Sequence, residues 1–534
     1  MSAKKSSGRG TKKSRSGGKA ALKKGGVKTA SGSAAKSGGK AGAGKGSPQA
    51  GGALGVAGTV LAWEDDPEAR PGRQPIQVSA PNLPTGNLAI TIAETAPPAQ
   101  IHPIGTSRFR YWTAAEALTR GVAFWSKFLP AGTKWSTATG QLKAHLDFAE
   151  DLNAFYRPGA SRLEFCHFTI GGATVFSGES PNIVCHELGH AVLDAVRPQL
   201  FNAMFTETSA FHESFGDISA ILCALQLDSV LAAVLAETGG RLNRSTFLSR
   251  LAEQLGAAIR QLKPQDVEPD CLRNAVNSFF YRDPATLPTS APATSLSTQP
   301  HSFSRVFTGA FYSALAGMVL ADNPAPTVQS LRKVTQDAAR LLIDAVIGAP
   351  VVPNYYSQVA AQIIAADEKR FARKYREALK AAFVRFGLLS LEAAAGIVGA
   401  PAPVTNAAPG AMGIAGGGLI KGDGAGLMLL SVPAAPFGLS APALLCPASS
   451  EGGGYPAAAA AALDTGSLPA PKHTDAIKNF LEDLFRLGRV DIGTHGDPIS
   501  QITQPNAKKT HVVKASPNGP VLLRETFDCG FDGI

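Results

Sequence analysis

The sequence predicts an α+β fold in which a small lobe with a mixed or antiparallel sheet precedes a mainly helical lobe. Short strand-like segments lie between residues 85 and 176. From about residue 181 to residue 389, apolar residues recur at the three- and four-residue spacing of amphipathic helices. At 534 residues, the chain is long enough for about three domains and a large core. We therefore assign an α+β lobe to residues 57–180 and a helical lobe to residues 181–390.

The segment before these lobes, residues 1–56, differs from the rest in composition and charge. Thirteen of the 51 basic residues and none of the 41 acidic residues precede Glu64, so the tail carries +13 and the remainder −3. A segment made mostly of Gly, Ser, Ala and Lys cannot bury enough apolar surface to fold, and we predict that it is disordered. It is a candidate arm for nucleic acid or another anionic surface, or else a solubilising tail. Without aromatic residues for base stacking, such binding would be independent of nucleotide sequence.

The elements of the two lobes follow from apolar spacing and from the turn signals between them. The alternating and apolar segments predict strands, and the longer periodic segments predict helices. In chain order, we predict a strand at 85–93, helices at 112–128 and 144–156, strands at 163–170 and 173–176, and later helices at 328–347 and 355–386.

The C-terminal part is predicted to contain a linker and a small folded segment. Residues 391–470 are largely Ala, Gly and Pro with almost no charge, which is typical of a flexible linker. In the segment 471–534, residues 475–487 predict an amphipathic helix. Residues 510–513 and 521–527 predict a hairpin that folds back on the body of the protein, because Pro-Asn-Gly between them favours a turn.

Several classes of protein are excluded by the composition. No run of about 20 apolar residues exists, so we expect no membrane span. The six cysteines form no Cys-x-x-Cys pair, which argues against a zinc ribbon or a disulfide framework and favours reduced thiols. No secretory signal follows the charged start, so a cytoplasmic location is the default expectation and export by a non-classical route is the alternative.

The most informative segment is a His-Glu-x-x-His pattern that starts with Ser180 and Pro181, a helix cap and a residue favoured at the first helical position. On a helix, His186 and His190 share one face about 6 Å apart, so two imidazoles can take two corners of a zinc tetrahedron. Glu187 is rotated by about 100° and can reach a water at the open position. The apolar neighbours of the pair favour a ligand role over two surface histidines.

A third ligand is expected on a second helix, since catalytic zinc usually has three protein ligands. Glu213 and Asp217 are four residues apart and share a helical face. Glu213 can complete the metal site while Asp217 accepts a hydrogen bond from a ligand histidine. Glu207 and His212 are competing candidates for the third ligand.

These two motifs together resemble the thermolysin-like zinc metallopeptidases, the gluzincin group in which a downstream glutamate is the third ligand. The resemblance covers roughly residues 105–390 and places the active-site helix between the two lobes. It implies one Zn²⁺ held by His186, His190 and Glu213, with Asp217 behind the ligands. It also implies a metalloendopeptidase that cleaves protein or peptide substrates with a zinc-bound water activated by Glu187.

The same resemblance implies roles for five further residues. Asn153 and Ala154 lie in a segment similar to the edge strand that binds substrate backbone. His301 lies in a segment similar to the one whose histidine stabilises the tetrahedral intermediate, and Arg273 precedes it at the spacing of the substrate-binding arginine. Asp194, four residues after the second ligand histidine, corresponds to a residue that supports the ligands.

The chain also departs from the family pattern. No tyrosine occurs from residue 157 to residue 280, so oxyanion stabilisation would depend on zinc and His301, with Tyr281 as a further candidate. The acidic cluster for structural calcium is missing after Asp217, and we expect no structural Ca²⁺. We also expect no large pro-segment of the family's kind, which leaves open how the enzyme would be kept inactive.

Two other functions are compatible with these departures. One is a binding or scaffold protein on a peptidase fold that retains zinc without turnover. The other is a protein that binds nucleic acid or an anionic surface through residues 1–56.

Overall fold

The computed structural model describes residues 58–397, 428–448, 472–497 and 502–529, which belong to one compact unit. The α+β class is confirmed. The predicted basic tail lies outside the described residues, as does most of the predicted linker.

The helices dominate the part of the chain that follows residue 180. The predicted helix at 355–386 is two helices, because Ala372 and Arg373 adopt left-handed backbone conformations with φ of 50° and 69°. In chain order the α-helices of the described residues are α1 (Ser107–Trp125), α2 (Pro181–Val196), α3 (Gln199–Asn202), α4 (Thr206–Ala224), α5 (Asp228–Thr238), α6 (Glu253–Leu262), α7 (Pro300–Asp322), α8 (Val328–Gly348), α9 (Tyr355–Phe371), α10 (Arg376–Arg385), α11 (Leu391–Gly396) and α12 (His473–Arg486).

The strands of the described residues are short and lie before residue 180 and after residue 427, apart from one small pair in the helical part. They are β1 (Thr59–Ala62), β2 (Ile76–Ser79), β3 (Ile90–Ile92), β4 (Leu142–His145), β5 (Ala154–Arg157), β6 (Arg162–Phe165), β7 (His167–Ile170), β8 (Ala173–Phe176), β9 (Arg250–Leu251), β10 (Arg273–Asn274), β11 (Met428–Pro433), β12 (Ala443–Ala448), β13 (Val490–Asp491), β14 (His511–Lys514), β15 (Val521–Arg524) and β16 (Phe527–Asp528).

The first large sheet has five strands in the order β16-β5-β6-β4-β3. Strands β3, β4 and β6 run parallel, and β5 pairs antiparallel with β6. The prediction of a helix at 144–156 is wrong, since that range contains the end of β4, a connection and the start of β5. Its mixed apolar pattern is that of two strands buried in a sheet, which spacing alone does not distinguish from a helix.

The second large sheet, in the order β11-β12-β15-β14-β13, is built from the C-terminal part of the chain. The hairpin predicted in this region is confirmed, because β14 and β15 pair antiparallel. Strands β11 and β12 pair within the range predicted as a linker. The low charge of that range suits a buried strand as well as a linker, which explains the different prediction.

Helices α2, α4 and α7 form the centre of the helical part. Helix α7 is 23 residues long and apolar enough to cross a bilayer, but 83% of its most apolar window is buried inside the protein. That is the environment of a core helix. Helices α4 and α5 together are also long and apolar enough to form one broken membrane span, and the angle between them is 99°.

Candidate metal centre

The His-Glu-x-x-His segment lies in the interior on α2, which begins as predicted. Ser180 accepts a hydrogen bond from the backbone N–H of Ile183 at 3.4 Å, and Pro181 is the first helical residue. The rings of His186 and His190 are 4.9 Å apart and nearly perpendicular. The potential ligand atoms of both histidines and Glu187 lie within 4.8 Å of one another, and all three residues are buried. This cluster is compatible with a metal ion.

Glu213 on α4 joins the cluster from the opposite side. Its Oε2 lies 3.3 Å from Nε2 of His186, and its Oε1 lies 3.8 Å from Nε2 of His190. The Glu213 side chain is 1% exposed. The other carboxylate near both imidazoles is Glu187. Glu213 is the better placed ligand, because its two oxygens each face one of the nitrogens at close range.

The atoms that face the centre of the cluster lack hydrogen bonds of good geometry among the described residues. They are Nε2 of both α2 histidines, Oε2 of Glu213 and both oxygens of Glu187. Buried polar atoms almost always have partners, and convergent lone pairs of nitrogen and oxygen repel one another unless a cation lies between them. The donor set therefore fits a divalent cation.

His186 is oriented by a buried ion pair. Its Nδ1 lies 3.1 Å from Oδ1 of Asp217. Arg273 on β10 donates to both oxygens of Asp217, at 2.8 and 3.2 Å. Burial alone would raise the pKa of Asp217, but Arg273 and His186 outweigh it, and the pKa lies below its usual value. An ionised carboxylate only accepts, so Nδ1 of His186 carries a proton, and Nε2 is the nitrogen that faces the cluster.

His190 has a different partner, a residue named above only as a competing candidate for the third ligand. Nδ1 of His190 lies 3.4 Å from Nδ1 of His212, the residue before Glu213. Burial and the neighbouring His190 hold the pKa of His212 well below its usual value, so His212 is neutral and its Nδ1 can accept. On a helix, the residue before an inward-facing ligand is rotated from it by about 100°. The position of His212 directly before Glu213 could therefore have suggested its contact with His190.

Gly216 permits the close approach of α4 to α2. A Cβ at this position would lie 2.7 Å from Cε1 and 2.8 Å from both nitrogens of the His186 ring. Any larger residue would displace this imidazole. The glycine therefore sets the position of His186 relative to Glu213.

Glu187 and His301 add two further titratable groups to the cluster. Burial, with a contribution from Glu213, raises the pKa of Glu187 to about 8. His301, in the first turn of α7, places Nε2 3.1 Å from Oε2 of Glu213, and its side chain is 20% exposed. The predicted base and the predicted histidine of α7 are thus brought to one cluster.

Two other candidates lie away from the cluster and bind each other. The Tyr281 hydroxyl donates to Oε1 of Glu207 at 2.7 Å, and the backbone N–H of Tyr356 donates to Oε2 at 2.7 Å. Burial raises the pKa of Glu207 to about 8. These contacts indicate a structural role for Glu207. The Tyr281 hydroxyl is engaged by Glu207, away from the cluster.

Asp194 supports α2 through a residue that sequence reasoning did not single out. The Tyr156 hydroxyl donates to Oδ2 of Asp194 at 2.7 Å. The Tyr156 ring is parallel to the His190 ring within 14°, with 6.5 Å between centroids. Burial raises the pKa of Asp194 to about 7, and the Tyr156 hydrogen bond opposes that rise.

The predicted substrate-binding segment leads into β5, the second strand of the first sheet, where the Tyr156 ring lies beside the His190 ring. Asn153 is buried immediately before β5, and its Oδ1 accepts from the backbone N–H of Ala154 at 2.9 Å. The outer edge of β5 is covered by β16, with Phe527 opposite Tyr156. The backbone carbonyl of Ala154 accepts from the N–H of Cys529 at 3.0 Å.

A polar cleft of about 400 Å³ opens beside the cluster. Arg273 and His301 line it from the helical part, and Gln504 lines it from the C-terminal part. The residues predicted to contact substrate from α7 and β10 therefore face a common space.

Comparison with known proteins adds no further assignment. No protein-family model and no curated protein sequence matches this chain.

Proposed function

We propose that this chain is a zinc-dependent metalloendopeptidase related to the thermolysin-like group. The observation that supports the proposal best is the convergence of His186, His190 and Glu213 beside the unpartnered carboxylate of Glu187. The spacing of the two motifs in the sequence does not by itself require these side chains to converge, so the convergence is an independent observation. The sheet edge next to it adds a place for an extended polypeptide.

The donor set favours zinc among the divalent cations. Two imidazole nitrogens and one carboxylate oxygen are ligands of catalytic zinc, whose ligand atoms lie about 2.0–2.1 Å from the ion and therefore about 3.3 Å from one another. The separation of 3.3 Å between His186 Nε2 and Glu213 Oε2 fits that spacing. Bound zinc would polarise the scissile carbonyl and acidify a water.

Glu187 is the proposed general base and acid. It takes a proton from the attacking water and transfers it to the leaving amine nitrogen. Its pKa of about 8, raised by burial, makes it a stronger base than an exposed glutamate. The surrounding apolar residues of α2 keep bulk water away from the carboxylate.

His301 is the proposed donor to the developing oxyanion. Burial alone would lower its pKa, but the Glu213 carboxylate outweighs it and raises the pKa. This shift favours the protonated imidazole, which is the form that donates. Its partial exposure at the cleft lets it meet a substrate carbonyl, and Arg273 lines the same cleft.

The edge of β5 indicates the substrate class. A sheet edge recognises an extended chain through backbone hydrogen bonds, whatever the side chains are. The Ala154 carbonyl already accepts such a bond from residue 529 of the same chain. A protein or peptide in extended conformation is therefore the ligand that this edge accommodates.

The test compares the full chain with a Glu187→Gln variant, each with and without Cys529→Ala, since residue 529 is bonded to Ala154 on β5. Zinc content by elemental analysis should remain at one equivalent, while cleavage of a peptide library falls about 10²- to 10⁴-fold. Glu237→Gln, an exposed residue of α5, is the matched control. Cleavage unaffected by Glu187→Gln would refute the proposal. One bound zinc without cleavage in either background would favour the scaffold function.

The proposed role of the basic tail is independent of hydrolysis. Deleting residues 1–56 should reduce retention on DNA at low salt and leave peptide cleavage unchanged. Equal retention of both forms would refute a nucleic-acid role.

A further inference from the structure

The last described strand enters the metal cluster as a substrate would. β16 pairs antiparallel with β5, with Phe527 opposite Tyr156 and Asp528 opposite Phe155. The pairing continues through the hydrogen bond from the Cys529 N–H to the Ala154 carbonyl. This is the sheet edge assigned above to an extended substrate.

Buried contacts fix this strand on both sides. Asp528 accepts from Arg489 at 2.8 and 2.9 Å, and it is 4% exposed. Arg524 donates to the Phe201 carbonyl at 3.0 Å and to the Ser209 hydroxyl at 2.6 Å. These are two separate polar anchors, so the docking of the segment does not depend on one apolar contact.

The Phe527 ring packs on the histidines of the site. It stacks on His212 at 4.3 Å and on His190 at 5.0 Å between ring centroids. The ring therefore covers both the ligand histidine and its orienting partner.

The Cys529 side chain completes the contact. The side chain lies close enough to the His186 imidazole and to Glu187 for these groups to interact electrostatically. The residue is 1% exposed. A thiol therefore lies beside two imidazoles and a carboxylate whose inward-facing atoms lack hydrogen-bond partners among the described residues.

We propose that Cys529 is the fourth zinc ligand and that residues 527–529 occupy the substrate strand position, so that the full chain is a latent enzyme. This inference rests on the proposed function. Zinc sites with four protein ligands are closed, whereas catalytic sites keep one position for water. Occupation of β5 by β16 also excludes an extended substrate.

The latent form would convert to the open form by a ligand exchange in which every proton is accounted for. When the cysteine ligates as a thiolate, the thiol proton leaves, and the Glu187 carboxylate is the neighbouring acceptor. Release returns that proton to sulfur and leaves the fourth position to water. No redox change or other reactant is needed.

Cobalt substitution tests the ligand assignment without measuring hydrolysis. The Co²⁺-loaded full chain should show a thiolate-to-cobalt charge-transfer band in the near ultraviolet, and Cys529→Ala should remove it. Cys166→Ala is the control, since Cys166 is also a buried free thiol near the site and its loss should leave the band unchanged. Absence of the band in the wild-type chain, or its persistence in Cys529→Ala, would overturn the ligand assignment.

Peptide cleavage tests the latency. Asp528→Lys, which sets a cation against Arg489, combined with Cys529→Ala should undock the strand. Because an attached strand competes at an effective concentration on the order of millimolar, we expect kcat/KM to rise about tenfold or more. Asp491→Lys makes the same charge change at an exposed position and should have no effect.

The two experiments separate the two proposals. Equal cleavage by the wild type and the double variant would overturn latency while retaining the endopeptidase function. No cleavage by either would refute the function, and the cobalt band alone would then decide whether Cys529 is a ligand. A band together with a rise in kcat/KM would support the whole inference.

Discussion

The imidazoles of His190 and His212 meet Nδ1 to Nδ1 at 3.4 Å in the interior. Such a contact is a hydrogen bond only if one nitrogen carries a proton and the other a lone pair. Burial holds the pKa of both histidines below the usual value, so both rings are neutral and either can donate in this contact. Donation by His190 leaves a lone pair on its Nε2, the nitrogen that lies 3.8 Å from Oε1 of Glu213. The contact is therefore compatible with the tautomer that a metal ligand needs.

Replacing His212 should weaken metal binding without removing a ligand. His212→Leu removes the acceptor for the His190 Nδ1 proton, so zinc affinity should fall about 10- to 100-fold. His212→Asn supplies an amide oxygen and should restore most of the affinity. Competition with a chromophoric chelator measures both values. Equal affinities of His212→Leu and the wild type would contradict the assigned role.

The ion pair behind His186 should contribute to both stability and metal affinity. Arg273→Leu leaves the Asp217 carboxylate buried without its cation, and we expect a loss of about 3–5 kcal/mol in the free energy of unfolding. Urea unfolding measures this loss, and zinc competition measures the affinity, which should also fall. Arg282→Leu, an exposed arginine nine residues later, should change neither by much. A change below about 1 kcal/mol for Arg273→Leu would show that the pair is dispensable.

The helical part of the site was predictable because its geometry is local. The cap at Ser180, the shared face of His186 and His190, and the four-residue spacing of Glu213 and Asp217 all follow from one helix period. The structure has these helices as expected. Metal identity and activity stay predictions, since spacing specifies neither.

The remaining parts of the fold and of the site depend on contacts between residues that are far apart in the sequence. The range 144–156 has apolar residues that fit a helix, but pairing with β6 makes its end a strand. The hairpin of β14 and β15 was visible from its turn. By contrast, nothing local at Phe527 or Cys529 indicates pairing with β5, some 370 residues earlier in the chain. The Tyr156 contact with Asp194 is of the same kind.

Gly216 provides a test of how closely α4 must approach α2. Gly216→Ala places a methyl group 2.7 Å from the His186 ring, so the imidazole has to move. We expect zinc affinity to fall about tenfold or more and the unfolding free energy to fall by about 1–3 kcal/mol. Gly159→Ala is the control, because a Cβ there meets nothing within 4 Å. Unchanged zinc affinity in Gly216→Ala would mean that the ring position is not critical.

The hydrogen bond from Tyr156 to Asp194 predicts a pH-dependent effect on stability. The folded-state pKa of Asp194, about 7, lies above the ordinary value of 3.8. The stabilisation from this raised pKa is therefore present below about pH 4 and is lost as the pH rises through 7. The Tyr156 hydroxyl limits that loss, because it donates to the ionised carboxylate.

Tyr156→Phe should consequently destabilise the protein more at high pH than at low pH. At pH 5 both forms carry a protonated Asp194, and the variant should lose about 0.5–1.5 kcal/mol, the contribution of a neutral hydrogen bond. At pH 8.5 the donor to a charged group is missing, and the loss should reach about 1.5–3 kcal/mol. Urea unfolding at both pH values with a fixed zinc concentration measures the difference. Tyr111→Phe, which removes a hydroxyl on α1, should show no such trend, and an equal loss at both pH values for Tyr156→Phe would refute the raised pKa of Asp194.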